Sequence, residues 1–299
     1  MLSNPLEDAA QFTGGQIAAF IKKAGGSDIV RAVLNDEKEI TINDKTRAIF
    51  DRNGRCIPRN IKSPICDADR ACYLQQPLII YGDRLDRLIQ AFPSGTTFCS
   101  VEEFRREVAL LYRLIEADLR FKNVFQGVWL PLVLPKVGND DYGVLMEMVF
   151  LSTAERSLRK EFPQRSFENH LKGDLVDEVV IRHPSHERLV AKMQLGPVPG
   201  IFLPISLQGF SVDAAREFAN SLPEIVHLAG GYDVATAITA YPDVLARDVY
   251  TPGNDMSAIQ WKFDDTSIRF AVCNVAKHEF TGRGFDASSQ LSAGLFICR

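Results

Sequence analysis

The sequence lacks any apolar run long enough to cross a membrane. Its longest apolar stretch, 128–135, contains two prolines and is far shorter than the roughly 20 residues that a spanning helix needs. The N-terminus carries the acidic residues Glu7 and Asp8 and has no basic segment followed by an apolar one, so it does not resemble a secretory signal. We therefore expect a soluble cytoplasmic protein with no membrane partner.

Sequence motifs of common enzyme classes are also missing. There is no Gly-x-x-x-x-Gly-Lys-Ser/Thr phosphate loop, no Gly-x-Gly-x-x-Gly after a strand, no Gly-x-Ser-x-Gly nucleophile turn and no His-Glu-x-x-His zinc helix. These absences disfavour P-loop nucleotide hydrolysis, dinucleotide binding, esterase and zinc-protease chemistry. The sequence predicts no cofactor, and it leaves open whether the chain is an enzyme.

The sequence has only six cysteines in 299 residues and no export signal. These features favour reduced thiols over a disulfide framework. Cys56, Cys66 and Cys72 cluster in sequence, but their spacing matches no paired zinc knuckle. His183 and His186 are three residues apart with a proline between them, whereas a zinc helix needs a separation of four. We therefore predict no metal site and interpret the two histidines as surface or capping residues.

Neither positive nor negative charge is in large excess. The chain has 34 Lys+Arg against 38 Asp+Glu, a formal net charge of −4. This mild balance disfavours nucleic acid as a global partner and requires a local basic patch for any such role. Hydrophobic residues make up 46% of the chain, which is enough for a sizeable core.

Short β-branched runs alternate with segments of helical spacing between residues 177 and 248. This order predicts parallel strands joined by crossover helices. Alternating apolar residues at 258–263 and 267–272 then predict an antiparallel hairpin, with a last strand near 292–298 beside it. We therefore predict an α/β fold, α+β at the N-terminus, with a mixed sheet that has a parallel βαβαβα centre, antiparallel edge strands and helices on its faces. The predicted parallel strands are 178–182, 198–203 and 224–228.

A proline- and glycine-containing break at 92–97 predicts a boundary between two regions. The N-terminal region, 1–97, is predicted to be mixed α+β with a basic β-hairpin, and 98–299 to be the α/β domain. The apolar spacing and the capping residues predict helices at 16–23, 83–91, 100–122 and 142–161.

Two polar turns follow predicted strands, at 206–213 and 229–233. Ligands of α/β proteins usually bind beyond the carboxyl ends of the strands, so we expect these turns to face one pocket. The predicted ligand-binding residues are Gln208, Ser211, Gly230, Gly231 and Asp233.

The second turn, Ala229-Gly-Gly-Tyr-Asp233, resembles the Ser-Gly-Gly-x-Asp-Ser pyrophosphate loop of ATP-cleaving amidotransferase and sulfurtransferase families. The resemblance implies that backbone N–H groups hold a phosphate at the positive end of a helix. This chain departs from that pattern, because Ala229 and Val234 stand in place of the two serines and the turn comes late in the domain. In the alternative interpretation the glycines turn the chain, and Ser211 and Asp233 cap helices.

These patterns leave three functional hypotheses. The first is a ligand-binding or regulatory protein that uses the two turns, with an unknown small molecule or protein as its partner. The second is an enzyme whose acid–base residues are His227, Asp213 and Asp233.

The third hypothesis is a nucleic-acid binder that uses the basic hairpin at 45–62. Asn53-Gly54 predicts a type I′ turn in this hairpin, because both central residues of that turn need a positive φ. Only one aromatic residue, Phe50, lies within the hairpin, so base stacking is poorly supported by the sequence.

Overall fold

Contacts between residues divide the chain after Thr46, into the units Met1–Thr46 and Arg47–Arg299. The predicted boundary near residue 97 falls inside the second unit. It joins two helices that pack on each other, since the rings of Tyr81 and Phe104 meet edge to face at 5.0 Å. The computed structural model describes residues 12–39, 47–173, 175–262, 265–274 and 277–299.

The described residues of the first unit form two amphipathic helices, α1 (Gly14–Lys23) and α2 (Ser27–Leu34). Thr13 caps α1, because its hydroxyl oxygen accepts the N–H of Gln16 while the Gln16 side chain accepts the N–H of Thr13. After α1 the chain turns at Gly25 and Gly26, whose φ angles are near +100°. The alternating residues Glu39–Asn43 predict a strand, and all of this segment after Glu39 lies outside the described residues.

The strands of the second unit begin at a proline-containing apolar run and end close to the C-terminus. They are β1 (Leu130–Leu134), β2 (Ser166–Asn169), β3 (Val179–Ile181), β4 (Val198–Gln208), β5 (Val226–Leu228), β6 (Gly253–Asp255), β7 (Ile259–Trp261), β8 (Ser267–Asn274), β9 (Lys277–Arg283) and β10 (Leu291–Ile297).

Eight of these strands form one mixed sheet in the order β1-β4-β10-β6-β8-β9-β2, with β5 also paired to β10. The pairs β10–β6 and β2–β9 are parallel, and the other pairs of this sheet are antiparallel. The prediction of an α/β fold with a mixed sheet is confirmed. One part needs correction: β4 and β5 point the same way, but β10 lies antiparallel between them, and β3 pairs with β7 in a separate two-stranded sheet.

The position of β10 explains this difference. All seven of its residues are buried, and a strand covered on both faces belongs in the middle of a sheet rather than at its edge. The predicted hairpin of 258–272 is corrected for a related reason. Instead of forming a ladder with β8, β7 pairs with β3, and β8 pairs with β9.

Helices pack on both faces of the sheet, so the second unit has three layers. Alternate residues of β4 point to opposite sides: Phe202 belongs to one apolar core, and Ile201 and Leu203 belong to the other. The helices of this unit are α3 (Tyr81–Ala91), α4 (Val101–Ala117), α5 (Tyr142–Leu145), α6 (Ser152–Glu161), α7 (Pro184–Leu195), α8 (Val212–Ala219), α9 (Gly231–Ala240) and α10 (Pro242–Leu245).

The predicted helix at 142–161 is confirmed, with one irregularity. A π-helical turn, Met146–Leu151, joins α5 to α6 without a break in helical backbone angles. The helix predicted at 100–122 ends earlier, at Ala117, because Asp118 is extended and its carboxylate accepts the N–H of Arg120. Among the described residues, no helix is both long and apolar enough to cross a bilayer.

Candidate functional site

The first predicted turn uses its polar groups inside the fold. The amide nitrogen of Gln208 donates to the carbonyl oxygen of Ser289 at 2.9 Å, and more weakly to two other carbonyls. The hydroxyl oxygen of Ser211 accepts the N–H of Ala214 at 3.1 Å and so caps α8. Both side chains are buried.

The second predicted turn is closed by neighbouring side chains. The Asp233 carboxylate accepts the N–H of Gly230 at 2.8 Å, and the N–H of Gly231 donates to the Tyr142 hydroxyl at 2.9 Å. A methyl group added at Gly230 would overlap the imidazole of His186. The side chains of Tyr142 and His186 therefore occupy the place that a phosphate would need, and the hydrogen bonds match the capping interpretation.

Each turn donates a backbone hydrogen bond to β10, from Gly209 to Leu291 and from Ala229 to Gly294. β10 separates them in the sheet, since β4 pairs with one edge of β10 and β5 pairs with the other. Ligand binding by the five residues predicted in these turns stays a prediction.

The histidines that follow β3 are buried rather than on the surface. His183 accepts the N–H of Ser185 at 3.2 Å, so the predicted capping role of His183 is correct. The Nε2 atom of His186 lies 2.9 Å from the Tyr142 hydroxyl. That hydroxyl also accepts the N–H of Gly231, so it connects His186 to the second turn.

His227 and Cys298 form a second buried pair. The Nδ1 atom of His227 donates to the carbonyl oxygen of Ser185 at 2.6 Å, which leaves Nε2 to accept the thiol of Cys298 at 3.3 Å. Burial raises the pKa of Cys298 to about 11, although Lys192 nearby lowers it. Burial also lowers the pKa of His227 to about 4. The pair is therefore a neutral thiol and a neutral imidazole, which is not an activated nucleophile.

The three acid–base residues predicted from the sequence do not surround one cleft. His227 and Asp233 are both fully buried; His227 is hydrogen-bonded to Cys298, and the charge of Asp233 raises the pKa of Cys298. Asp213 lies on the surface of α8 with 57% of its side chain exposed, and its ion-pair partner is Arg216.

Ser185 connects this buried region to the sheet. Its hydroxyl oxygen accepts the N–H of Leu228 at 2.9 Å, and its proton faces the Nδ1 atom of His183 at 2.7 Å. We expect Ser185→Ala to lower the free energy of unfolding by about 1–3 kcal/mol, because a buried N–H loses its acceptor. Urea unfolding should show a smaller loss for Ser100→Ala, which removes an exposed helix cap. Equal losses in the two variants would contradict this role of Ser185.

The basic hairpin predicted at 45–62 is present around the Asn53-Gly54 turn, but the turn differs from the prediction. Phe50 and Cys56 form an antiparallel bridge, and Gly54 has a φ of +73°. Asn53 keeps a negative φ, so the turn is not type I′. The Asp51 carboxylate accepts the N–H groups of Asn53 and Arg55, and this fixes the turn from inside.

This turn forms one wall of a cavity of about 590 Å³, which we call the arginine groove. Three arginine side chains line it, and no carboxylate does. None of these guanidinium groups has an ion-pair or hydrogen-bond partner among the described residues. The lining residues are Arg52, Asn53, Arg55, Arg70, Leu74, Gln76, Gln126, Gly127, Val128 and Ile205.

Arg55 is the most constrained of the three arginines. Its Nε atom is buried and has no acceptor among the described residues. A buried donor without an acceptor is costly in free energy. The floor of the groove is apolar and consists of the buried side chains Leu74, Val128 and Ile205.

Sequence reasoning found two of the three arginines, because Arg52 and Arg55 lie in the basic hairpin. It missed Arg70, which lies outside the hairpin in an irregular segment and has no motif around it. Among the described residues, no group of three or more histidine, cysteine or acidic side chains is arranged to hold a metal ion. Comparison with protein-family models gave no match, and comparison with curated proteins and with solved structures gave none either, so the residues of the site carry the functional argument alone.

Proposed function

We propose that this protein binds a phosphate-bearing ligand in the arginine groove. The observation that carries the proposal is one cavity lined by three arginines that have no carboxylate partner among the described residues. The planar guanidinium group offers several N–H donors in a geometry that matches phosphate oxygens. Without an anion, the like charges of these side chains repel each other across a shared cavity.

The overall charge of the protein does not account for the positive charge of the arginine groove. The chain as a whole carries a net charge of −4, so the groove is a local basic site on a mildly acidic protein. Several other arginines are paired with carboxylates, as in Arg84 with Asp243 at 2.6 Å and Arg87 with Glu161 at 2.7 Å. A groove without such pairs is typical of a site that receives its countercharge from a ligand.

The arginine groove supports binding better than the two turns after β4 and β5 do. The polar groups of those turns mostly form helix caps and internal hydrogen bonds. Arg52 and Arg70, in contrast, are exposed to solvent. The binding-protein hypothesis is therefore kept, and its site moves to the groove.

The test is titration calorimetry with pyrophosphate and tripolyphosphate at low salt. We expect the triple variant Arg52→Gln, Arg55→Gln and Arg70→Gln to bind at least about tenfold more weakly, because charge-assisted hydrogen bonds contribute roughly 1.5–3 kcal/mol each. Affinity for the wild type should also fall as salt is added.

A matched control removes the same charge elsewhere on the surface. Arg113, Arg182 and Arg188 do not line the groove, and the triple variant of these residues to glutamine should bind like the wild type. Equal losses in both triple variants would mean that only net charge matters. The absence of measurable binding by the wild type would overturn the proposal.

A further inference from the structure

A group of aromatic side chains lies beside the arginine groove. The rings of Tyr112 and Phe125 are stacked, with centroids 4.5 Å apart and an angle of 16°. The ring of Trp129 meets the ring of Phe125 edge to face, with centroids 5.4 Å apart. It is tilted by 51° against the ring of Tyr112, with centroids 6.2 Å apart. All three residues are partly exposed, so we call them the aromatic platform.

The chain places this platform directly against the basic hairpin. Gly54 packs so closely on Gly127 that any side chain at Gly54 would overlap the Gly127 backbone. The hairpin turn therefore rests on the segment that carries Phe125 and Trp129. The groove residue Gln76 binds the same segment. Its amide N–H donates to the Trp129 carbonyl and its amide oxygen accepts the Trp129 N–H, both at 2.9 Å.

A second cavity, of about 560 Å³, lies along part of the platform. Gln126 lines both cavities, and Tyr112 and Phe125 line the second one. The two cavities differ in charge. The second is lined by the acidic residues Glu116 and Asp118 and by the cation Lys122, and the Asp118 carboxylate already pairs with Arg120.

A phosphate site next to a partly exposed aromatic site is the arrangement that nucleotides require. Arginines neutralise the phosphate, and a planar base stacks on aromatic side chains. Resting on the proposed phosphate binding, we infer that the ligand is a nucleotide unit, with its phosphate in the arginine groove and its base against the aromatic platform. The unit can belong to a free nucleotide or to a single strand of nucleic acid, and the experiment distinguishes these two sources.

The experiment compares ligands with and without bases. We expect a labelled single-stranded oligothymidylate of about six nucleotides to bind about 5- to 100-fold more tightly than an abasic strand of the same length and charge. Fluorescence anisotropy measures both affinities, and competition by unlabelled mononucleotides measures a third. A mononucleotide that competes as well as the oligonucleotide supports the inference and identifies the free nucleotide as the source.

Platform variants separate stacking from phosphate binding. Phe125→Leu and Trp129→Leu should remove the advantage of the base-bearing strand and leave affinity for the abasic strand and for pyrophosphate unchanged. Trp129→Phe should keep part of this advantage, and Tyr250→Leu, at an exposed tyrosine outside the aromatic platform, should have no effect. A Trp261→Phe background isolates Trp129 fluorescence, which a stacked base should quench.

Two results would overturn the inference, and they are distinguishable. If the abasic and base-bearing strands bind equally while pyrophosphate still binds, phosphate binding stands and the nucleotide inference is overturned. If neither pyrophosphate nor any strand binds, the proposed function fails and the inference fails with it.

Discussion

Replacing Gly143 by alanine is expected to destabilise the second unit by about 3 kcal/mol or more. Gly143 is the second residue of α5, and a methyl group there would overlap the carbonyl group of Leu175. The contact is with backbone rather than with the end of a flexible side chain, so either α5 or the segment around Leu175 must move. That segment also donates a hydrogen bond to the capping residue of α5, because the Asp141 carboxylate accepts the N–H of Asp177.

Gly82 offers a matched control for this variant. It is likewise the second residue of a helix, α3, but no atom lies within 4 Å of the place where a methyl group would be added. Gly82→Ala should therefore stabilise the protein by about 0.4–1 kcal/mol through the lower entropy of the unfolded chain. Urea unfolding of the two variants should give shifts of opposite sign. A shift of the same sign in both would show that steric overlap at Gly143 is not the cause.

The sequence predicted those helices well whose pattern of apolar residues lies within one short segment. The apolar spacing of Phe104, Val108, Leu111 and Ile115 predicted α4, and these residues are its buried ones. The capping serine at its start and the apolar 142–161 helix were confirmed in the same way. The order of the strands was harder to predict, because β4 and β5 both pair with β10, and β10 is distant from both in sequence.

The arginine groove shows the same limit more strongly. Its walls come from residues 52–55, 70–76 and 126–128, with Ile205 from β4 at its floor. No short motif contains these residues, and the packing of Gly54 on Gly127 that brings them together is a tertiary contact. The sequence offered one aromatic residue for stacking, Phe50, and the structure buries it against Phe121. The platform beside the hairpin follows it by about 60 to 80 residues in the chain and could not be inferred from local composition.

The largest pH effect is expected from Asp233. Burial raises its pKa to about 7, although backbone N–H groups at the start of α9 lower it, whereas an unfolded aspartate titrates near 4. Between these values the folded protein binds a proton that the unfolded chain has lost. The stability that Asp233 contributes is therefore fully present below about pH 4 and is lost as the pH rises through 7.

The variant Asp233→Asn should reveal this contribution. Asparagine has nearly the same shape and can still accept the N–H of Gly230, but it carries no titrating proton. From pH 5 to pH 8 its free energy of unfolding, relative to that of the wild type, should rise by on the order of 2–3 kcal/mol. His186 and His227, whose pKa values burial lowers to about 3 and about 4, change stability in the opposite direction. They titrate in both proteins, so the difference between the two proteins isolates Asp233.

A second aspartate tests whether the effect belongs to the buried site. A hydrogen bond from Arg247 lowers the pKa of Asp248, so this carboxylate stays ionised from pH 5 to pH 8 in the folded protein and in the unfolded chain. The difference between Asp248→Asn and the wild type should therefore be constant over this range. Urea unfolding at several pH values measures both differences. A constant difference for Asp233→Asn as well would mean that the Asp233 carboxylate is ionised in the folded protein at pH 5, and that the buried cluster around Tyr142 and His186 tolerates its charge.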